Sequence, residues 1–284
     1  MKLQVIHSTR YEYSRPVRES HNEARLHPTS LDGQVLHSFL LKVIPATRLR
    51  HYEDFFLNYV HFFDIPDAHD FLTVESVSVV STVQNLVVPE TGVIPMGLLR
   101  ACSRMEECYD FLHSSVYVSV TPEVWRLGLD ICQGIDDVWG CAVAIMQFIH
   151  QNFRYVPAST TVHTHMSEVL EGRAGVCQDF AHVMIGMCRA LKIPARYVSG
   201  YLYNGPTETL TGAQASHAWC EVYIPGFGWH GLDPTNNCQV DEHHVKIAVG
   251  RDYADVVPLK GSYCGTSEME MKVSVEVTRV EEDC

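Results

Sequence analysis

A cysteine at position 177 stands where a helix is predicted to begin. Apolar residues recur at helical spacing from Phe180 to Leu191, Pro194 ends the pattern, and glycines just before Cys177 give a flexible approach. The first N–H groups of a helix lack intrahelical acceptors, so they favour an anion such as a thiolate and can bind an oxyanion. Cys177 lies off the predicted buried stripe. The segment is consistent with a nucleophilic thiol, and equally with a small cysteine buried behind a glycine turn.

A histidine and an aspartate are predicted to face each other across a β-hairpin. Residues 216–224 alternate in polarity, Pro225 and Gly226 begin a turn, and the second strand runs to Asp233. Pairing outward from the turn brings His217 close to Asp233. Such a carboxylate would fix the imidazole's tautomer and stabilise its charged form. A lone histidine at a strand start is usually structural, but one facing an aspartate downstream of a helix-tip cysteine indicates a catalytic arrangement.

The charge balance argues against two classes of partner. Lys and Arg number 21 and Asp and Glu number 34, a formal net charge of −13. Nucleic acid and anionic membrane surfaces would both repel such a protein. The first residues lack the apolar run of a signal peptide, and no stretch approaches the ~18 apolar residues needed to span a bilayer. We therefore expect a soluble cytoplasmic protein without a nucleic-acid or membrane partner.

The cysteines and histidines do not show ligand spacing. The ten cysteines include no CxxC pair, which speaks against a zinc ribbon or a thioredoxin-like site. The chain length and missing signal speak against a disulfide framework. Among the 16 histidines, His163 and His165 lie close together, as do His243 and His244, but such loose clusters are usually hydrogen-bonded rather than ligating. We expect no metal and no other cofactor.

The elements that would position these residues differ along the chain. Period-two alternation near Leu3, in residues 39–43, 74–80 and 83–87, predicts a small sandwich or open barrel of antiparallel strands. Helical signals begin at about residue 121, where Thr121 can cap a helix that starts at a proline.

A second helical run follows Asp136 and Asp137 and ends before Pro157. The tail alternates again and is hypothesised to pair with the first strand. We therefore predict an α+β protein with a β-rich N-terminal domain over residues 1–115 and a catalytic core over residues 116–284. A C-terminal strand in residues 268–284 would return to the N-terminal sheet.

Three motifs in this order resemble the transglutaminase-like superfamily, specifically its bacterial branch. They are GVCQDFAH around Cys177, SHAWCEVYIPGFGW around His217 and LDPTN around Asp233. The stretches FFLNYVHFFDI and HHVKIAVGRDYADVVPLKG resemble the same branch, so the resemblance covers nearly the whole chain. It implies a papain-like core in which Cys177 is the nucleophile, His217 the general base and then acid, and Asp233 the orienting carboxylate.

The resemblance leaves the oxyanion donor open. In animal transglutaminases the donor is a tryptophan upstream of the cysteine, and Trp139 lies in that direction. Tyr155 is a second candidate, and the backbone N–H of Cys177 is a third. Trp219 and Gln178 are further candidates for an oxyanion or shielding role.

The implied reaction is acyl transfer from a peptide or protein amide through a thioester on Cys177. Water as acceptor makes the protein a cysteine protease or amidase, whereas an amine makes it a protein transglutaminase. The short chain without an acidic calcium loop favours hydrolysis of a peptide or isopeptide bond. The alternatives are the amine-accepting enzyme, a catalytically silent binding module and a His/Cys metalloprotein.

Overall fold

The computed structural model describes residues 1–30, 33–83, 93–205, 210–212, 216–265 and 268–280. Its strands are β1 (Lys2–Ala24), β2 (Gln34–Ile44), β3 (Arg50–Glu53), β4 (Tyr59–Ile65), β5 (His69–Thr82), β6 (Arg154–Tyr155), β7 (Ala174–Gly175), β8 (Ala195–Leu202), β9 (His217–Ile224), β10 (Gly228–Asp233), β11 (Cys238–Gln239), β12 (His244–Gly250), β13 (Leu259–Cys264) and β14 (Met269–Arg279). Its helices are α1 (Leu99–Cys102), α2 (Glu106–Tyr109), α3 (Pro122–Ile131), α4 (Val138–Asn152), α5 (Met166–Gly172), α6 (Cys177–Ala190) and α7 (Tyr253–Val256), with 3₁₀ turns at Met96–Leu98 and Asp110–Leu112. Among the described residues, no helix has the length and apolar character to cross a bilayer.

The N-terminal sheet is built around one long strand, β1. The strand order is β2-β5-β1-β4-β3, and β13 and β14 also pair with β1. The first half of β1 pairs with β5 and the second half with β4, both antiparallel, and the register shifts between Glu12 and Val17. Burial alternates along β5, as the period-two pattern predicts. The strand predicted over residues 83–87 lies almost entirely outside the described residues.

The C-terminal part of the chain contributes two strands to this sheet. β14 pairs antiparallel with the start of β1, from Leu3 opposite Arg279 to Tyr13 opposite Met269. β13 pairs with the end of β1. The return of the tail is therefore present in the structure, whereas the domain boundary between residues 115 and 116 stays a prediction.

Both predicted starts of the first long helices are present. The Thr121 side chain accepts a hydrogen bond from Val124 N, and α3 begins at Pro122. Asp137 caps α4 by accepting from Gly140 N at 2.6 Å. These caps satisfy N–H groups that a helix cannot pair internally, so the local sequence determines where each helix begins.

A second sheet, of order β11-β10-β9-β8-β12, packs against α6. The prediction that α6 buries only one stripe, with Cys177 off it, is wrong because every residue of α6 is buried. The physical reason is that α3, α4, α5 and the sheet all contact this helix. A helix enclosed on all sides has no solvent-facing stripe.

The edge strand β12 is covered by side chains of the N-terminal sheet region. The Gln34 amide donates to Lys246 O and accepts from Lys246 N, both at 2.8 Å. The Asn58 amide makes the same pair of bonds with Val249, also at 2.8 Å. Two carboxamides thus occupy positions where a neighbouring strand would pair, and they satisfy an edge that would otherwise be open.

Candidate active site

Cys177 is the first residue of α6 and is buried. Asp179 holds the backbone just before Cys177. Its Oδ2 accepts from Val176 N at 2.8 Å and from Thr160 Oγ1 at 2.6 Å. A Cβ atom at Gly175 would lie 2.6 Å from the same oxygen, which explains the glycine there. Burial raises the pKa of Asp179, while its two hydrogen bonds act in the opposite direction. The predicted helix-tip position of the thiol is therefore observed.

His217 and Asp233 lie on neighbouring strands, at the start of β9 and the end of β10. Leu232 is paired with Cys220, so the hairpin register brings the two side chains together. His217 Nε2 lies 2.8 Å from Asp233 Oδ2, and both side chains are fully buried. The structure thus brings together the histidine and aspartate that the hairpin pattern pairs.

The second ring nitrogen of His217, Nδ1, points away from Asp233. It makes no hydrogen bond of ordinary geometry with the described residues. The Cys177 thiol is close enough to raise the pKa of the His217 ring. Burial alone would lower the pKa of His217, but the charge and hydrogen bond of Asp233, helped by Cys177, raise it to about 9. The imidazole is therefore protonated at neutral pH.

Asp233 is satisfied entirely by protein groups. Its Oδ1 accepts from Thr235 N at 2.8 Å and Asn236 N at 3.2 Å, and its Oδ2 accepts from Asn236 Nδ2 at 2.7 Å. Burial would raise the pKa of Asp233, but His217 and then His244 hold it far below its usual range. The LDPTN motif therefore encodes a turn in which the aspartate binds the backbone that follows it.

His244 also belongs to this cluster, a role that its position beside His243 in the sequence did not indicate. Its Nε2 lies 3.5 Å from Asp233 Oδ2, and its Nδ1 lies 3.0 Å from Asp241 Oδ1. Burial opposes a charge on the ring, but hydrogen bonds to Asp233, Asp241 and Cys238 raise the pKa of His244 well above its ordinary value. The available signal was a histidine at the start of an apolar strand, three residues after an aspartate.

Tyr155 lies beside the cluster. β6 and β7 pair Tyr155 with Gly175, next to the start of α6. Gly212, with φ of +91°, approaches His217 and Tyr155 together, since a Cβ there would lie 2.8 Å from His217 Nδ1 and 3.7 Å from the tyrosine hydroxyl. Burial, and then the Coulombic effects of Cys177, Asp179 and Asp233, raises the pKa of Tyr155 to about 12. Its hydroxyl therefore remains a proton donor near the thiol.

Trp219 is fully buried within the second sheet's outer face. Its ring centroid lies 6.2 Å from that of His217 and 5.3 Å from that of His244. A Cβ atom at Gly200 would come within 2.5 Å of the indole, so the glycine makes room for it. The indole forms a wall of the histidine cluster, and its predicted shielding role stays a prediction.

The remaining two candidates have other partners. Gln178 Nε2 donates to Val162 O at 3.1 Å. Trp139 packs edge-on against His230, with ring centroids 6.0 Å apart. The oxyanion role considered for each of these side chains remains untested.

Another histidine of α6, His182, serves the packing. It is completely buried, its Nε2 accepts from Tyr253 N at 3.1 Å, and it stacks on Tyr117. Burial lowers the pKa of His182 to about 3. The ring is therefore neutral, and it anchors α7 to α6.

Two groups among the described residues place three candidate metal donors within 4.8 Å of one another: His217, Asp233 and His244, and Asp241, Glu242 and His243. In the first group the 2.8 Å separation of His217 Nε2 and Asp233 Oδ2 is that of a shared proton. In the second, the Asp241 carboxylate already binds both neighbouring histidines. Neither donor set fits a metal.

Comparisons with known sequences cover both parts of the chain. The family model for the transglutaminase-like superfamily matches residues 127–234, and that for the bacterial transglutaminase-like N-terminal region matches residues 3–81. An uncharacterized protein of Mycobacterium leprae is 36% identical over 98% of this chain and 99% of its own length. A protein-glutamine gamma-glutamyltransferase of Pseudomonas aeruginosa is 33% identical over 100 residues, which are 33% of this chain and 15% of that protein.

A solved structure supports the fold independently. The crystal structure of a candidate cysteine protease from Cytophaga hutchinsonii aligns with a TM-score of 0.81 over 100% of this chain and 92% of that one, at 24% identity. This likeness concerns the fold, and it confirms the predicted α+β class with an antiparallel N-terminal domain and a papain-like core. With both family regions matched and a relative similar over the full chain, the protein belongs to the transglutaminase-like superfamily.

Proposed function

We propose that the protein is a thiol-dependent acyl-transfer enzyme that forms a thioester between Cys177 and an amide substrate. One observation carries the proposal: a helix-tip thiol lies beside a buried imidazole whose other nitrogen is 2.8 Å from a carboxylate. A nucleophile, a base and an orienting group in this order are the components of covalent acyl transfer.

In the first half-reaction the Cys177 sulfur forms a bond to the amide carbonyl carbon. The N–H groups of the first turn of α6, which a helix cannot pair internally, would donate to the oxyanion, and the Tyr155 hydroxyl would be a second donor. The C–N bond then breaks, and the Nδ1 proton of His217 moves to the departing amine. The pKa of about 9 leaves His217 protonated, as this acid role requires.

In the second half-reaction we propose water as the acceptor. His217 takes a proton from water, the oxygen adds to the thioester carbonyl, and the C–S bond breaks to return the thiolate. The substrate would be a peptide or isopeptide amide. An amine acceptor is the second candidate, and the partial similarity to a protein-glutamine gamma-glutamyltransferase favours keeping it.

The first test is alkylation of the native protein by iodoacetamide from about pH 5 to pH 9, with the modified cysteines located by mass spectrometry. We expect Cys177 to react fastest despite its burial, and to slow in a His217→Ala variant. The exposed Cys264 is an internal control. If Cys177 reacts no faster than the other buried cysteines and ignores the loss of His217, the proposal is wrong.

The choice of acceptor needs a separate measurement. A glutamine-containing peptide library is incubated in ¹⁸O-water with and without a fluorescent primary amine. Incorporation of ¹⁸O into the acyl product supports hydrolysis, whereas dominant incorporation of the amine would replace it with transamidation. A Cys177→Ala variant, which lacks the sulfur, is the matched control.

A further inference from the structure

We infer that His244 is a positioning residue for the acid–base pair: held as a cation between Asp233 and Asp241, it shares the carboxylate that orients His217. The inference rests on the proposed function, because it concerns the proton that His217 would give to the leaving amine. His244 does not contact the thiol and is assigned no step of its own.

The geometry gives both nitrogens of His244 an acidic partner. Nδ1 lies 3.0 Å from Asp241 Oδ1, and Nε2 lies at the outer limit of a hydrogen bond, 3.5 Å from Asp233 Oδ2. The Asp241 backbone N–H also lies 3.3 Å from Nδ1, but the carboxylate contact is the shorter of the two, so we assign a proton to Nδ1. With a second proton on Nε2 facing Asp233, the ring is an imidazolium. The side chain is 1% exposed, so water does not screen these charges.

The charges around His244 alternate in sign from one group to the next. Asp241, His244, Asp233 and His217 follow one another, each in contact with the next. The ring centroids of His244 and His217 are 6.3 Å apart. A cation that contacts the same Asp233 oxygen as His217 weakens the hold of that carboxylate on the His217 proton. His244 therefore makes His217 a readier acid than Asp233 alone would allow.

Few other titratable groups of the described residues face His244. Those from the packed elements are Cys238 of β11 and the Glu221–Lys246 ion pair, while Gln34 and Thr82 from the N-terminal sheet are uncharged. Glu221 is paired with Arg196 as well as Lys246, and none of these three side chains contacts a ring nitrogen of His244 as the aspartates do. The two aspartates therefore dominate the field at the ring.

The position of His244 is set from outside the hairpin. His244 is the first residue of β12. The Gln34 amide binds the backbone of this strand at Lys246, and the Thr82 hydroxyl donates to Glu242 O just before the strand begins. The Trp219 indole packs edge-on against the ring. Such packing and backbone anchoring fix where the cation lies relative to Asp233.

The test compares His244→Gln with His243→Gln. Glutamine at 244 retains a donor but removes the charge, and His243 binds the other oxygen of Asp241 without reaching Asp233. The pKa of His217 is measured by NMR of the labelled imidazole, and amide hydrolysis is measured from about pH 6 to pH 10. We expect His244→Gln to raise the pKa of His217 by about one to two units, given the charge separation. The high-pH limb of kcat should move upward with it, whereas His243→Gln should leave both near the wild type.

The outcomes separate the two proposals. If the pKa of His217 is unchanged or lowered in a folded His244→Gln variant, the inference is overturned. A histidine with only a structural role would not raise the pKa of His217 when it is replaced. If the pKa of His217 rises in this variant but Cys177 is unreactive, the coupling of the two rings is supported and the proposed function is overturned. Because glutamine fills a similar volume and keeps a donor, we expect the variant to fold, and its thermal midpoint reports on this.

Discussion

Asp233 is the residue on which the site converges. Its Oδ2 contacts His217 and accepts from the Asn236 amide, its Oδ1 accepts from the Asn236 backbone N–H, and the side chain has no exposure to solvent. A buried carboxylate of this kind is stable only when its oxygens are satisfied, which the turn after β10 achieves. Its charge then acts on His217 with little screening. The behaviour of the imidazole therefore depends on this one side chain.

An Asp233→Asn variant should show this dependence directly. Without the carboxylate charge, burial dominates and the pKa of His217 should fall from about 9 to below its ordinary value of 6.5. The high-pH limb of kcat should move to lower pH, and kcat should drop by about 10³–10⁴-fold because the imidazole loses its orienting partner. A pH profile of amide hydrolysis checks both. A Thr235→Ala variant keeps the carboxylate and is the control, and a limb that stays in place would contradict the assignment.

The elements were predictable from the sequence where the signal is local. The start of α6 and the hairpin of β9 and β10 follow from periodicity and turn residues, and both bring their side chains to the site. His244 could not be placed in this way, because β12 pairs with β8 and not with the hairpin strand that carries Asp233. The burial of α6 on all sides could not be predicted from the sequence pattern either, because periodicity does not reveal how many elements surround a helix.

Glu221 ties three strands of the second sheet together. It lies on β9, 2.6 Å from Arg196 of β8 and 2.5 Å from Lys246 of β12. Burial would raise the pKa of Glu221, but the two cations lower it to about 2. The stabilisation is therefore fully present above the unfolded value of 4.5 and is lost as the pH falls through about 2.

Replacing Glu221 by Gln should accordingly destabilise the fold in a pH-dependent way. We expect a loss of about 3 kcal/mol in the free energy of unfolding at pH 7, the cost of removing one partner from a buried ion network. The difference from the wild type should shrink below about pH 4. Urea unfolding at pH 7 and at pH 3 measures it, with the exposed Glu171→Gln as control. An equal difference at both pH values would rule out this account.

At the scale of the whole molecule, the N-terminal sheet and the second sheet contact each other through side chains. Side-chain amides of the first cover the edge strand β12 of the second, and His7 reaches across to the Tyr201 hydroxyl at 2.7 Å. The sequence indicated the β-rich first part and the returning tail. It did not indicate this contact, because carboxamides that mimic a strand leave no periodic signal.

An Asn58→Ala variant tests the contribution of this contact. The change leaves the buried N–H and C=O of Val249 without their partner, and each unsatisfied group costs about 1–3 kcal/mol. We expect a lower free energy of unfolding of that order, measured by chemical denaturation. Asn152→Ala, which removes an exposed amide at a helix end, should change it by less than about 0.5 kcal/mol. If the two variants lose similar free energies of unfolding, the Asn58 contact stabilises the fold no more than an exposed amide does.

The pairing of β1 with β14 has a consequence for how the protein is made. Leu3 pairs with Arg279, so one side of the first strand stays without its partner until the ribosome has added some 270 further residues. Contacts this distant along a chain form slowly, and a bare strand edge invites pairing with other nascent chains. Translation speed and holding by chaperones should therefore affect the yield of this protein more than its final stability would suggest.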